Sequence, residues 1–517
     1  SQKVRGALKI GESAGGTSGV AQLTSSSPEA YKLYLAGMAK FSDGEYDSAI
    51  ADFEKALKID SALALAHMRI GMSLTFTGKQ QAGMTYFAAA RQFQDRLPVR
   101  EKSLVDVYSN IWLDRRLADA STKLKAMVAN YPDDKEVRAV YGIFLGQLQR
   151  DSVGALAQFD SALLLDPDYS FAISLYAQQY AQNQNWSKAV EWAQKLVELR
   201  PSARRFRSLA MYLSRAGRFD EAVNNYEKAI RLDPNDIDTY SSLLILFVRT
   251  GDLDKAEQLL PKEKSAAGED PYRRGLYVDD ESNLFAWRGK FREALRSSHE
   301  GMRQALKTKD SSIIFAAHME LTSTFSRLGM QDSVAKYSAE SDKYANVFQQ
   351  LSYPMQLIDL DPANEKQARP MLQERLSRFK ERLPAQMWPL ADALQKIFDG
   401  TAARDTSAMI AGLRELIQVQ NQANTGNQFE LGELLVKRGQ FGEGKKELEP
   451  LVSGPLRSSS GLNYPLINYL LGIAEEGLGN RQRATEYFKE MLKYWGDADI
   501  QFKEITDAKS RLAKLTG

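Results

Sequence analysis

Gly217-Arg-Phe-Asp-Glu-Ala-Val-Asn-Asn-Tyr-Glu-Lys-Ala-Ile-Arg-Leu-Asp-Pro234 is the stretch on which the fold is decided. Ala222, Tyr226 and Ala229 recur at helical spacing and share one face, so the stretch reads as an amphipathic helix. Gly217 precedes it as a tight turn needing positive φ, and Asp233-Pro234 ends it while starting another. Upstream, Leu209, Ala210 and Leu213 lie on one face of a preceding helix. The unit from Ala203 to Asp236 is therefore two helices, whose small residues permit close approach and whose larger apolar residues fill the space toward the next pair.

The same register extends outward with a period of roughly 34 residues, the signature of a helix-pair array. It recurs with Gly37, Ala49, Phe53 and Ala56, then with Gly71, Gly83, Phe87 and Ala90. It continues through Ala120, Leu124 and Pro132, through Gly142, Ala155, Phe159 and Ala162, and through Tyr176, Tyr180 and Ala189. Leu243, Phe247, Gly251 and Ala256 carry the last of seven units. The expected organisation is a regular array over 29–268, degenerate pairs over 269–345, an irregular helical region over 346–424, and two further repeats with a capping helix over 425–517. Within the irregular region, Asn364 to Leu383, Met387 to Phe398 and Thr406 to Gln420 read as helices between Asp-Pro, Leu-Pro and Gly-Thr boundaries. Residues 1–28 read as the end of an upstream module followed by a Gly, Ser and Thr-rich linker. The chain opens at Ser1 without a methionine, which predicts a processed protein or a fragment with its anchor or targeting signal upstream.

A length of 517 residues exceeds what one core serves, and the repeats favour an array in which each pair packs on its neighbours. With 68 basic and 66 acidic residues, the net charge of +2 supplies no general attraction to nucleic acid or anionic membrane. The absence of cysteine excludes disulfides, thiolate nucleophiles and cysteine-held metals. The three histidines, His67, His299 and His318, stand in no metal-ligand spacing. Asp279-Asp280-Glu281 and Asp497-Ala-Asp499 lack the glycine and terminal glutamate of a calcium loop and read as helix N-caps. No phosphate-binding, dinucleotide or nucleophile-elbow motif occurs. The expectation is no catalysis, cofactor or metal.

Gly44-Glu-Tyr-Asp-Ser-Ala-Ile-Ala-Asp-Phe-Glu-Lys-Ala-Leu-Lys-Ile-Asp60 and the opening stretch together resemble the tetratricopeptide repeat (TPR) family. The resemblance implies an all-α fold: a right-handed superhelical solenoid of antiparallel helix pairs, closed by a C-terminal capping helix. It also implies a protein or peptide partner on the concave face lined by first helices. Tyr34, Met38, Ser174, Gln178, Arg204, Arg207, Met211, Ser241 and Ile245 are the residues expected there. Their mixture suits a ligand with acidic and apolar groups. Tyr34 and Met38 depart from the lysine and asparagine clamp of chaperone-binding members.

Val20 to Gly37 and Tyr494 to Leu515 further resemble the start and finish of TPR regions in bacterial membrane receptors. There a Ser/Thr kinase or winged-helix regulator precedes a membrane span, a TolB-like module and the repeats. That resemblance implies an extracytoplasmic sensory region; a free-standing scaffold or assembly subunit is the alternative.

Overall fold

The computed structural model describes residues 25, 27–346, 349–382, 388–420, 425–453 and 463–517. The expected N-terminal module and linker lie outside the described residues apart from Ser25 and Ser27. Every regular element among the described residues is helical. None of these helices is long and apolar enough to cross a membrane.

Close contacts divide the chain into two compact units, 1–212 and 213–517, with the division inside the helix Ala203–Arg215. The sequence placed its boundaries elsewhere, because repeat quality sets those and tertiary closure sets these.

Unit 1 packs its helices in successive pairs. They are Pro28–Ser42 with Tyr46–Ile59, Ala64–Phe76 with Gln80–Gln92, and Val99–Trp112 with Leu117–Asn130. Lys135–Ile143, prolonged by a wider turn at Phe144–Leu148, pairs with Ser152–Leu165, and Ser170–Gln182 pairs with Trp186–Leu199. Three of these five pairs are built on a glycine beneath an aromatic ring. A Cβ on Gly37 would stand 2.5 Å from Phe53, one on Gly71 2.7 Å from Phe87, and one on Gly142 2.3 Å from Phe159. The period in the sequence is therefore a packing rule, in which a missing side chain on the first helix admits a ring from the second. Gly217 and Gly251 make their turns at φ of +79° and +85°, in left-handed territory. Arg115, Arg150 and Gln184 take equivalent turns without glycine, at about 1 kcal/mol or more each.

Unit 2 follows the same scheme. Ile237–Thr250 pairs with Leu253–Ala267, Pro271–Trp287 with Phe291–Thr308, and Ser311–Arg327 with Gln331–Asp342. The irregular stretch contains Ser352–Leu360 and Glu365–Arg382, then the tight pair Trp388–Ala402 and Thr406–Gln420. Thr425–Lys437 with Phe441–Val452 and Tyr464–Gly477 with Arg481–Trp495 restore the regular repeat, Gly472 again lying under Phe488. The amphipathic helix Lys503–Thr516 packs on this last pair and buries Ile505 and Ala508.

Each unit also closes on itself. In unit 1 Phe41 lies 5.8 Å from Phe171 and Phe76 lies 6.3 Å from it. Asp43 accepts from Arg205 Nη2 at 2.9 Å and Arg200 Nη1 at 3.1 Å, and the Arg204 guanidinium covers the Tyr46 ring at 4.8 Å. In unit 2 Trp495 Nε1 donates to the Ala286 carbonyl at 2.9 Å. Asp499 accepts from the backbone N–H groups of Phe291 at 2.8 Å and Arg292 at 3.1 Å. The reading of Asp497-Ala-Asp499 as the N-cap of its own helix is corrected, since Lys503–Thr516 is capped at Phe502; the Asp499 carboxylate instead receives N–H groups at the start of the distant helix Phe291–Thr308. Gly289 is required at this meeting point, since a Cβ there would stand 3.1 Å from the Ala498 Cα.

Candidate functional site

The first helices of unit 1 turn Tyr34, Arg69, Arg100, Tyr108 and Glu136 toward one another. Arg69 is buried and donates to Glu136. Glu136 also accepts from Arg100 Nη2 at 2.7 Å, and Arg100 Nε donates to Asp134 at 2.7 Å. The Arg69 guanidinium faces the Phe41 ring at 5.4 Å. Burial alone would raise the Glu136 pKa, but Arg69 and Arg100 outweigh it and hold the carboxyl at about 2. Burial pushes the Tyr34 and Tyr108 hydroxyls up. These side chains of unit 1 therefore satisfy one another, with Arg69 buried and Glu136 and Arg100 half-buried.

The residues expected to line a binding channel are dispersed. Tyr34 is buried, its ring 5.6 Å from Phe53, and Met38 packs partly buried in the same core. Ser174 Oγ donates to the Phe171 carbonyl of its own helix at 2.7 Å. Arg204 is occupied with Tyr46, Arg207 is half-buried, and Gln178 and Met211 are exposed. Ser241 and Ile245 belong to unit 2, Ser241 half-buried and Ile245 exposed.

Unit 2 brings together a set of carboxyls that sequence reading missed. Glu263, on Leu253–Ala267, is fully buried, and the partner of its carboxyl is another carboxyl. It hydrogen-bonds Asp280, on Pro271–Trp287, which is 6% exposed. Ser241 hydrogen-bonds Asp280. Next to it, Glu281 accepts from Tyr277 at 2.5 Å and from Ser297 at 2.7 Å. Burial, then Glu320 and Asp280, pushes Asp279 up to about 7. Farther along, burial raises Asp359 to about 6, and burial together with Asp359 and Glu433 raises Glu430 to about 7. Asp359 is nonetheless exposed to solvent.

The reading of Asp279-Asp280-Glu281 as a helix N-cap is corrected here. The helix begins at Pro271 and its cap is Asp270, whose Oδ1 accepts from the Arg273 N–H at 2.9 Å. Glu269-Asp270-Pro271 was the signal, since Asp before Pro at the first helical position is a strong start. Once the helix starts there, the three acids fall in its middle.

Burial and Asp280 together push the Glu263 carboxyl far above the usual carboxylate range. Its folded pKa exceeds the unfolded 4.5, so between those values the folded chain keeps a proton that the unfolded chain has lost. Stability is complete below pH 4.5 and falls as pH rises, by about 1.4 kcal/mol per pH unit for one proton. Glu263→Gln, which carries the neutral shape at every pH, is expected to raise the urea midpoint at pH 8 and flatten the slope between pH 5 and 8. An unchanged slope would place the proton elsewhere.

With this geometry in hand, family profiles match two places: a TPR repeat over residues 214–251 and a tetratricopeptide repeat over residues 33–63. At these places the chain carries TPR repeats, a module of protein–protein interaction. It is 22% identical over 214 residues to anaphase-promoting complex subunit 3 of Schizosaccharomyces pombe, covering 39% of this chain and 30% of that relative. The chain thus spans less than a third of that protein. Among solved structures, the human IFIT1 dimer with PPP-AAAA shares 13% identity, with 89% of each chain covered and a TM-score of 0.34. YrrB, a TPR protein with an unusual peptide-binding site, shares 16% identity, with 38% of this chain and 96% of its own covered and a TM-score of 0.28.

Proposed function

We propose that the chain holds a protein partner on the inner side of unit 2. One observation carries this: in unit 1 Glu136 is paired with Arg69 and Arg100, whereas Asp279, Asp359 and Glu430 of unit 2 keep access to solvent and form no ion pair among the described residues. The setting we favour is the extracytoplasmic sensory region of a bacterial signalling receptor, supported by the resemblance of Val20 to Gly37 and Tyr494 to Leu515. The second reading, a subunit of a multiprotein assembly, is supported by the likeness to anaphase-promoting complex subunit 3.

Affinity capture from membrane and soluble fractions of the source cells tests both. The intact chain is compared with Asp359→Lys, Glu430→Lys and with Arg204→Glu, Arg207→Glu. A protein retained by the intact chain and by the arginine variant, but lost with the first variant, is the expected result. Loss only with the arginine variant would move the seat to unit 1, and no retained protein under any condition ends the proposal. Recovery beside a membrane-embedded kinase or regulator favours the receptor, and recovery within a soluble assembly favours the subunit.

A further inference from the structure

A cleft of about 470 Å³ opens on unit 2 where Phe441–Val452, the start of Tyr464–Gly477 and Arg481–Trp495 meet. That is ample for a small ligand. Three carboxylates line it, those of Glu449, Glu486 and Glu490, against one guanidinium, that of Arg483. Tyr464 forms a fixed wall, its ring stacked on Trp287 at 5.4 Å and its hydroxyl donating to Glu490 at 3.1 Å.

The donors of the cleft are engaged with their own chain. Tyr487 donates to Glu449 at 3.4 Å, Arg483 to Glu449 at 3.2 Å, and the Ser453 hydroxyl to the Glu449 carbonyl at 2.8 Å. Asn468, only 2% exposed, gives Nδ2 to the Tyr464 carbonyl at 2.8 Å. Its Oδ1 accepts from no donor among the described residues and opens on the cleft. A buried amide oxygen left in this state is costly, and a donor from outside the chain completes it. Glu486 and Glu490, one helical turn apart, form no ion pair among the described residues. What the cleft offers a ligand is acceptors and an excess of negative charge.

We infer that this cleft binds a small aliphatic di- or polyamine. Alkylamines are ammonium ions at neutral pH, all donor and no acceptor, which is the complement of the lining. One ammonium meets Asn468 Oδ1 and Glu490, and a second meets Glu486 at the exposed rim. The methylenes between them lie along Val452 and the Tyr487 ring, both half-buried in the cleft wall. Three carboxylates less one guanidinium leave an excess of two negative charges, which a dication balances and a single lysine side chain does not. A metal ion fits less well, because no three metal-ligating side chains converge among the described residues. The wall is set in advance by Trp287 behind Tyr464, so little order is lost on binding. Asp279, Asp359 and Glu430 are not part of this lining, and the site does not depend on the partner surface proposed above.

The test titrates cadaverine, pentylamine, pentanediol and Nα-acetyl-lysine amide into the full chain by calorimetry at about 0.15 M salt. Glu486→Gln, Glu490→Gln is compared with Glu54→Gln, Asp119→Asn, which removes the same charge from exposed positions of unit 1. The expected result is saturable binding of cadaverine by the intact chain and the unit 1 variant, weakened about tenfold or more by the cleft variant. Pentylamine and acetyl-lysine amide, with one charge each, are expected to bind the intact chain about tenfold or more weakly than cadaverine, and pentanediol not at all. Absence of cadaverine binding, equal weakening by both variants, or pentanediol binding as tightly as cadaverine overturns the inference. Acetyl-lysine amide binding as tightly as cadaverine also overturns it, and gives the cleft to a side chain of a partner. Should the double variant lose its melting transition, Glu486→Gln alone replaces it, and unaltered cadaverine binding there has the same force.

Discussion

Trp495→Ala is expected to cost unit 2 about 3–5 kcal/mol, the largest loss of any single truncation in that unit. The indole is 1% exposed, at the end of Arg481–Trp495. Its ring meets Phe291 edge-on at 5.3 Å and Phe502 at 5.3 Å, and its Nε1 donates to the Ala286 carbonyl. The first two contacts hold apolar area and the third satisfies a buried donor, so alanine leaves both a cavity and an open seam. The seam joins segments 209 positions apart in the chain. Its loss also frees Asp499 from the N–H groups of Phe291 and Arg292. Urea unfolding followed by circular dichroism measures the cost, and limited proteolysis is expected to cleave Lys503–Thr516 sooner in the variant. Trp495→Phe keeps most of the packing and gives up the hydrogen bond, for a loss of about 1–2 kcal/mol. A loss below about 1 kcal/mol for the alanine variant would show that the closure contributes little.

Glu136→Ala is the corresponding test of unit 1. It removes the carboxylate that Arg69 and Arg100 share and strands the Arg69 guanidinium, which is 4% exposed. Breaking a buried pair in this way is expected to cost about 3–5 kcal/mol. Arg100 keeps Asp134, so the main damage falls on Arg69. Arg69→Met together with Glu136→Met is expected to recover most of the loss, because the pair is then replaced by packed apolar side chains. The carboxyl also makes an acid limit. Its folded pKa, about 2, lies below the unfolded 4.5. Its stabilisation is therefore complete above pH 4.5 and lost as pH falls toward 2. Urea midpoints of the intact chain between pH 5 and 2.5 should fall more steeply than those of the double methionine variant. Parallel profiles would place the acid sensitivity at other carboxylates.

Much of the architecture was legible because its signals are short-range. Gly37 with Phe53, Gly71 with Phe87 and Gly142 with Phe159 lie within one repeat, so a ring and the gap that receives it recur together. The helix expected at Thr406 to Gln420 forms with those bounds, and the one expected at Asn364 to Leu383 forms as Glu365–Arg382, because their boundary residues act within a single turn. The candidate site was far less legible. Tyr34 and Met38 occupy positions that face inward on a first helix, but whether inward means a channel or a core depends on how tightly successive pairs curve. Asp279 and Asp280 were misread through missing the start at Pro271, and nothing near them in the chain announces Glu263 as their neighbour.

The sequence by itself determined that the chain is helical, where most helices begin and end, and which face of each is apolar, since propensity, capping and periodicity act within a few residues of one another. Only the tertiary structure decided that Asp43 meets Arg200 and Arg205, that Phe291 meets Trp495 and Asp499, and that Glu136 finds two arginines while Glu263 finds none. Those meetings depend on small rotations accumulated over many pairs. Each is set by side-chain volumes that no local pattern records.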